Sequence, residues 1–460
     1  MRRLRLQTRT LMPNSELEAR RALWTMAWPM AAELLLGIAV GLVGVALAAR
    51  VSDAAAAAYG VGNTLFAAFF IAFRIIGAGV SVVITQRLGA GDRAGADRLA
   101  RAGLGASLWL GVVVALLLAV GAGPLLRALG TPADVQPLAE PYLRVLALAL
   151  GLDALNALMG AVLRAHLHVR RALLIALTTH AIHLLACLPL MRGDGPLPAL
   201  GLVGFALAMV ISRVAAIVLH RRGWREHLSL VPHAADWWTL RRGVLAPALR
   251  IGVPGAAESI AYRLAALVVV AVVAQQGTGA LAAHAYAQQL GALLILGSLS
   301  LGLAAEILVG HDVGAGRLDL ARRRVRTSIR WGLALSMLSA LLLALLGPQA
   351  IGLFTHDPAL LQLAVTLLWI GVVLEPGRAM NLVYVNALRA VGDVRWPVAV
   401  AALSMSLVMA GGAWLLGNVM GLGLVGVWIA LVADEWLRGL AMAWRWHGGA
   451  WQARARLAAA

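Results

Sequence analysis

Long apolar stretches bounded by charged or turn-forming residues recur along the whole chain. A helix that crosses about 30 Å of hydrocarbon needs about 20 mostly apolar residues, and twelve stretches reach that length. None alternates apolar and polar residues as a membrane β-strand does. The pattern therefore predicts an all-α integral membrane protein with twelve transmembrane helices. The predicted spans are 25–49, 57–85, 102–126, 138–163, 172–191, 201–219, 246–274, 280–309, 329–352, 359–388, 396–416 and 423–444.

Composition supports a membrane protein. The chain is 61% hydrophobic and 13% charged, whereas soluble domains are about half apolar and about one-quarter charged. The net charge of +18 does not indicate a nucleic-acid partner, because the basic residues lie between apolar stretches instead of forming one patch with aromatic residues. The single cysteine, Cys187, lies inside an apolar stretch, so the chain alone cannot build a disulfide or a thiolate metal site. We expect the lipid bilayer as the main partner.

The arginines predict the orientation in the membrane. All 39 basic residues are arginines, and most of them lie in the termini or in even-numbered connections between spans. Only Arg50, Arg127 and Arg192 lie in connections on the opposite side. The positive-inside rule then places both termini in the cytoplasm, for a multi-pass protein of the cytoplasmic (inner) membrane. The N-terminal stretch lacks the pattern of a signal peptide, so the first span is expected to insert uncleaved.

The sequence repeats itself at a constant displacement, the one that carries Pro29 onto Pro254. Residues 28–33 (WPMAAE) align with 253–258 (VPGAAE), and 163–165 (LRA) align with 388–390 (LRA). Near the end of each copy the segment GLVG recurs at a slightly shorter displacement, from Gly201 to Gly423. Because each copy holds six spans, the second copy enters from the same side, so the fold is predicted to be two parallel six-helix repeats. The predicted divisions are a basic N-terminus 1–24, bundles 25–219 and 246–446, a linker 220–245 and a tail 447–460.

Two similar bundles that face each other can enclose a cavity at the membrane midplane, and rocking them exposes that cavity to either side in turn. This architecture indicates a secondary transporter. A duplicated membrane receptor or scaffold is the alternative that fold-level reasoning leaves open.

Glutamates follow prolines at matching places in the two repeats. Glu33 lies four residues after Pro29, and Glu258 lies four residues after Pro254. A proline inside a helix frees a backbone carbonyl and can kink the helix, so each carboxylate is expected beside a kink. Ionisable groups in the bilayer are costly and often functional. Each glutamate is interpreted either as a proton or cation site or as the partner of a freed amide or an arginine.

The fourth and tenth spans carry opposite charges at matching positions, Asp153 and Arg378. Glu375 lies one helical turn before Arg378, and a local ion pair between them is favoured. Asp153 is then a candidate titrating group.

His180 and His183 share one face of the fifth span and suit proton exchange near neutral pH. Metal binding is the alternative, but no second cluster at ligand spacing completes a site, so no metal is predicted. Asn63 and Gln288 occupy matching positions and are candidate polar groups in the cavity. No catalytic or nucleotide-binding motif occurs, so we predict a protein that is not an enzyme and has no cofactor, and ATP-driven transport would need a partner chain.

With the repeat established, residues 25–446 resemble the multidrug and toxic compound extrusion (MATE) family of the multidrug/oligosaccharidyl-lipid/polysaccharide flippase superfamily. The segments that carry the resemblance are Pro29 with Glu33, 86–92 (QRLGAGD), 252–254 (GVP), 282–284 (AAH), and 375–381 (EPGRAMN) followed by 387–393 (ALRAVGD). The resemblance implies a V-shaped pair of bundles that exports organic cations or other amphipathic small molecules in exchange for Na⁺ or H⁺. It implies no obligatory protein partner.

The chain departs from the family at both of the family's cation sites. At the two aspartate positions of the amino-terminal site stand Gly44 and Cys187, and the carboxy-terminal site holds Tyr262 and Arg378. Tyr262, and Asn381 from the tenth-span motif, become candidate polar cavity residues. The hypothesis is therefore proton coupling through Glu33 and Glu258, with Asp153 or the histidine pair as further candidates. A lipid-linked saccharide flippase is the alternative, with a membrane sensor or enzyme as a third class; a flippase cavity is expected to be strongly basic.

Overall fold

The computed structural model describes residues 16–193, 198–453 and 455. Helices dominate these residues and no β-strand occurs among them. The outer parts of the predicted N-terminus (1–15) and tail (456–460) lie outside the described residues. The helices are α1 Glu16–Ala49, α2 Asp53–Phe70, α3 Phe73–Gly89, α4 Arg93–Ala128, α5 Gln136–Ala165, α6 Val169–Arg192, α7 Gly201–Gly223, α8 Arg242–Ala274, α9 Thr278–Gly314, α10 Leu318–Leu345, α11 Gly347–Gly352, α12 Pro358–Ala390, α13 Arg395–Val419 and α14 Gly423–His447.

Each of the twelve predicted spans falls on a helix or on two successive helices. Within the described ranges, ten helices are long and apolar enough to cross a membrane, and α2 with α3 forms an eleventh, bent span. The twelfth, α14, is more highly charged than the other spans. Every 18-residue stretch within it contains three charged residues, Asp434, Glu435 and Arg438. The prediction of an all-α, twelve-span fold is confirmed.

The helix ends differ from the predicted spans in two ways. Helix α4 begins at Arg93 and α10 at Leu318, both well before the apolar stretch, because arginine favours helix and no proline intervenes. Asp92 caps α4 by accepting a hydrogen bond from the Gly95 amide at 2.8 Å. The ninth predicted span ends as a separate short helix, α11, with Pro348 in its first turn. Apolar stretches mark the bilayer, whereas helix ends depend on capping.

Spatial contacts group the chain into two compact units. The N unit contains residues 32–88 and 92–256, and the C unit contains the described residues up to Ala31, Gly89–Gly91 and the residues from Ala257 onward. Helix α1 passes from one unit to the other after Ala31, and α8 does so after Ala256. These two positions are repeat equivalents, related by the same displacement as Pro29 and Pro254. In each helix the passage lies between the proline and the glutamate of the repeated motif.

One helix forms the centre of each unit, and the two central helices are repeat equivalents. In the N unit α5 packs against α2, α4 and α7, and in the C unit α12 packs against α9, α10 and α14. Helices α4 and α5 meet closely at Gly111, where a Cβ would lie 2.3 Å from the Gly151 carbonyl oxygen. Glycine is required there to let the helices approach. Each central helix also contributes one member to two of the interhelical ion pairs described next.

Candidate functional site

The glutamates of the proline motif pair with arginines at matching repeat positions. Glu33 Oε1 lies 3.0 Å from Arg164 Nη1 on α5, and Glu258 Oε2 lies 3.4 Å from Arg389 Nη2 on α12. Both members of each pair recur at the displacement of the proline motif. Each glutamate therefore has an arginine partner. This arrangement is one of the two interpretations of these glutamates that the sequence allowed. The LRA segments that marked the repeat contain those arginines.

A second pair of positions keeps its geometry but reverses its charges. In the N unit Asp153 Oδ1 on α5 lies 2.8 Å from Arg213 Nε on α7. In the C unit Arg378 Nε on α12 lies 3.3 Å from Glu435 Oε1 on α14. Position 378 is related to 153 by the displacement of the proline motif, and 435 is related to 213 by the shorter displacement of the GLVG segment. Asp153 therefore has a cationic partner, which weakens the case for a titrating role.

The reversal occurs a second time, at the turn after the second span of each repeat. Arg87 Nη1 lies 3.6 Å from Asp92 Oδ2, and Arg317 Nη2 lies 3.1 Å from Asp312 Oδ1. Each residue is replaced, at the matching position of the second repeat, by one of opposite charge. Asp312 also pairs with Arg324. The two repeats therefore preserve the place of an ion pair and not its polarity.

The C unit contains a larger charged cluster, which we call the α12–α14 cluster. It consists of Glu375, Arg378, Asp434, Glu435 and Arg438. Arg438 Nη2 lies 2.6 Å from Asp434 Oδ2 and 3.1 Å from Glu435 Oε1. Three carboxylates therefore share two guanidinium groups, which leaves one negative charge without a cationic partner inside the cluster.

Hydrogen bonds saturate two of the three carboxylates. Asp434 accepts a hydrogen bond from the Ser404 hydroxyl at 2.6 Å and two from Arg438. Glu435 accepts one from Asn381 at 3.0 Å, in addition to its contacts with the arginines. Burial without such partners would cost each charged group several kcal/mol, and these hydrogen bonds offset that cost for Asp434 and Glu435.

Glu375 is the exception. Its Oε1 accepts a hydrogen bond from Arg378 Nη1 at 2.5 Å, as the local ion pair predicted from sequence requires. Its Oε2 is buried and has no hydrogen-bond partner among the described residues, and Glu375 as a whole is only 2% exposed. An ionised carboxylate with an unsatisfied oxygen is costly in the bilayer interior. A proton on Oε2 would remove the unbalanced charge of the α12–α14 cluster.

A cavity of about 440 Å³, a volume that includes its open mouth, lies beside this cluster in the C unit. Three residues predicted from sequence line it, namely Tyr262, Gln288 and Arg378. The wall also includes His284, Asp434, Glu435, Met409, Ala266, Val269, Val270 and Leu431. The cavity therefore combines apolar walls with a few polar groups that can orient a ligand.

The remaining predicted residues lie elsewhere. Asn63 is exposed on α2. His180 and His183 lie on α6, where the His183 ring is 2% exposed and stands edge-on to Phe205 with ring centres 4.7 Å apart. His180 Nδ1 and His183 Nε2 are buried without hydrogen-bond partners among the described residues. No group of three or more histidine, cysteine or acidic side chains suited to a metal occurs in the described part of the chain.

Gly44 and Cys187 stand at the two positions that hold aspartates in the family's amino-terminal cation site, and their neighbouring side chains explain the difference. A Cβ built on Gly44 would lie 2.2 Å from the Tyr59 hydroxyl oxygen, so this tyrosine occupies the space of a side chain. The Cys187 thiol is buried and lies 3.3 Å from Met191 Sδ. Neither position offers a carboxylate or an open ligand site.

Comparison with known proteins places the chain in one group. The MatE family model matches residues 29–188 and 254–415, two segments that start at the two prolines of the repeated motif. The chain is 31% identical to a probable multidrug resistance protein NorM of Rhodopseudomonas palustris, over 92% of this chain and 90% of that protein. It is 28% identical to the uncharacterized transporter YisQ of Bacillus subtilis, over 94% of both chains. A crystal structure of MATE in the bent conformation superposes with a TM-score of 0.86 at 21% identity, over 96% of this chain and 97% of that chain.

Proposed function

Because the chain belongs to the MATE family of membrane transporters, we propose that it is an antiporter that exports cationic or other amphipathic small molecules in exchange for protons. The family accounts for the class of transporter, and relatives named as multidrug resistance proteins support the export of drug-like compounds. The choice of the proton rests on one observation, the buried Glu375 with its unsatisfied oxygen.

The unbalanced charge of the α12–α14 cluster supports proton coupling. A hard cation such as Na⁺ needs several oxygen ligands at once, whereas Glu375 offers a single oxygen that no described residue occupies. Asp434 and Glu435 are already bound by hydrogen-bond donors. One proton therefore satisfies the cluster more completely than a metal cation does.

The same charge explains how a proton and a substrate exclude each other. When Glu375 is ionised, the cluster carries one negative charge that a monovalent cation in the adjoining cavity can neutralise. When Glu375 is protonated, that attraction is gone. Proton binding then lowers the affinity for a cationic substrate, and by linkage the substrate lowers the affinity for the proton by the same factor. This reciprocity is what exchange requires.

Transport by purified protein in liposomes tests the proton assignment. Vesicles are loaded with ethidium, whose charge does not change with pH, so a pH gradient alone does not move it across the membrane. The vesicles then receive either a pH gradient or a Na⁺ gradient at equal pH. We expect ethidium to leave when the outside is acidic and to remain when only Na⁺ is raised outside. Efflux driven by Na⁺ alone, with no response to pH, would contradict the proposal.

The proposed location is the cytoplasmic membrane with both termini in the cytoplasm, as the arginine distribution indicates. Two variants that each add one exposed cysteine test the sides, because native Cys187 is fully buried and should not react. His233→Cys lies in the loop between α7 and α8, and Asp134→Cys lies in the connection between α4 and α5. In intact cells an impermeant maleimide should label only the variant at 134, and the reverse pattern would invert the topology.

A further inference from the structure

The cavity in the C unit presents hydrogen-bond donors that the protein itself does not use. Arg378 lines the cavity, and its Nη1 and Nε bind Glu375 and Glu435. No described residue accepts a hydrogen bond from Nη2. A guanidinium group with unused N–H donors facing open space is suited to an acceptor group of a ligand.

His284 adds a second donor. Its Nδ1 lies 3.1 Å from the Trp428 indole nitrogen, which can only donate. Nδ1 therefore carries no proton, and the ring proton of this neutral imidazole is on Nε2. No described residue accepts a hydrogen bond from Nε2, and His284 lines the cavity. The Tyr262 hydroxyl and the Gln288 amide line the same space and likewise have no hydrogen-bond partner among the described residues.

The acidic side chains of the wall differ from these donors because they are already occupied. Asp434 and Glu435 each accept hydrogen bonds from arginine and from a second side chain. They contribute charge to the cavity and little free hydrogen-bonding capacity. The cavity thus attracts a positive charge through the adjoining cluster and offers donors to an oxygen atom.

We propose that this cavity binds monovalent cations that also carry a carbonyl or ether oxygen, and that Arg378 selects for that oxygen. The inference rests on the proposed function, since the cavity is taken as a substrate site. Charge and hydrogen bonding come from different groups: the carboxylates of the cluster attract the cation, while Arg378 and His284 donate to the oxygen. Cations without an acceptor retain the first interaction and lose the second.

Two probes of equal charge and nearly equal length separate these contributions. Benzoylcholine and 4-phenylbutyltrimethylammonium both have a phenyl ring four atoms from a quaternary nitrogen, and only the first carries an ester. Their binding to the purified full-length protein is measured by calorimetry at pH 8 without any gradient. We expect benzoylcholine to bind about tenfold more tightly, the effect of one good hydrogen bond to a charged donor. Equal affinities would overturn the inference.

Variants locate the selectivity. Arg378→Lys keeps the positive charge between Glu375 and Glu435 but removes the free Nη2 donor, so the affinity ratio should fall towards one. Arg322→Lys is the matched control, because Arg322 forms an exposed pair with Asp319 on α10 and does not line the cavity, and its ratio should stay near tenfold. A ratio that persists in Arg378→Lys, or that falls equally in both variants, would exclude Arg378 as the selecting residue. Should Arg378→Lys fail to fold, Tyr262→Phe and His284→Phe test the cavity itself, since a tenfold ratio surviving both would place the ester elsewhere.

This test is independent of proton coupling. Binding ratios are measured at equilibrium and at one pH, so a failure of proton-driven transport would leave them unchanged. Conversely, equal binding of the two probes alongside normal proton-driven efflux would overturn the acceptor selectivity and leave the proposed exchange intact.

Discussion

Replacing Glu375 with glutamine should abolish substrate-driven proton movement while leaving the protein folded. Glutamine has nearly the same shape and can still accept a hydrogen bond from Arg378, but it cannot exchange a proton. The α12–α14 cluster then holds two carboxylates and two guanidinium groups, which is the charge state that the protonated site has in the native protein. We expect the variant to behave as though permanently protonated, with proton release lost and affinity for a cationic substrate reduced at least tenfold.

The measurement is proton release from liposomes that contain the purified variant when ethidium is added, followed with a pH-sensitive dye. Glu140→Gln is the matched control, since Glu140 forms a partly exposed pair with Arg144 on α5 and should leave proton release unchanged. Glu258→Gln tests the competing carrier suggested by the sequence. Normal release in Glu375→Gln together with loss in Glu258→Gln would move the proton site to the proline motif.

Removing Arg213 should destabilise the protein more than any exposed ion-pair substitution. Arg213→Met leaves Asp153 as a buried carboxylate without its cation, and breaking a buried pair in this way costs about 3–5 kcal/mol. The double variant Asp153→Arg, Arg213→Glu should recover most of that loss. It copies into the N unit the polarity that Arg378 and Glu435 already have in the C unit.

The stabilities of the purified variants are ranked by their thermal unfolding, which is monitored by fluorescence-detected size-exclusion chromatography. Arg144→Met removes an exposed pair and should change stability by less than about 1 kcal/mol. The reversed double variant should melt close to the native protein. If it melts as low as Arg213→Met, the two repeats do not provide interchangeable sites for the pair, and the reversal seen between them depends on other residues.

The sequence predicted the membrane architecture well because the bilayer imposes a length and a composition on every span. The duplication was readable because residues such as Pro29 and Pro254 recur at one displacement. The contacts between helices were harder to predict. Arg164 and Arg389 mark the repeat in the sequence, yet their glutamate partners lie 131 positions away. That separation is the same in both repeats. A search for glutamate and arginine positions that both recur at the repeat displacement would therefore predict these contacts.

The charge-reversed pairs show why the other contacts between helices could not be predicted from the sequence. Asp153 and Arg378 were recognised as opposite charges at matching positions, but their partners follow the other displacement because the second copy is slightly shorter before its last helix. The unsatisfied oxygen of Glu375 has no sequence signal, since it depends on which neighbouring side chains reach it. The cavity is equally a product of packing, although three of its polar residues were named from sequence.

The passage of α1 and α8 between units has a consequence for the origin of the duplicated chain. Residues Arg242–Ala256 lie in the second copy of the sequence but pack in the N unit, and Glu16–Ala31 lie in the first copy but pack in the C unit. Neither copy therefore contains all of the unit it mainly builds. A single six-helix protein with this topology would complete its unit by exchanging the first half of its first helix with a second molecule, as a segment-swapped homodimer. Fusing two such copies would turn an exchange between two molecules into one within a single chain, and would let the two copies acquire opposite charges.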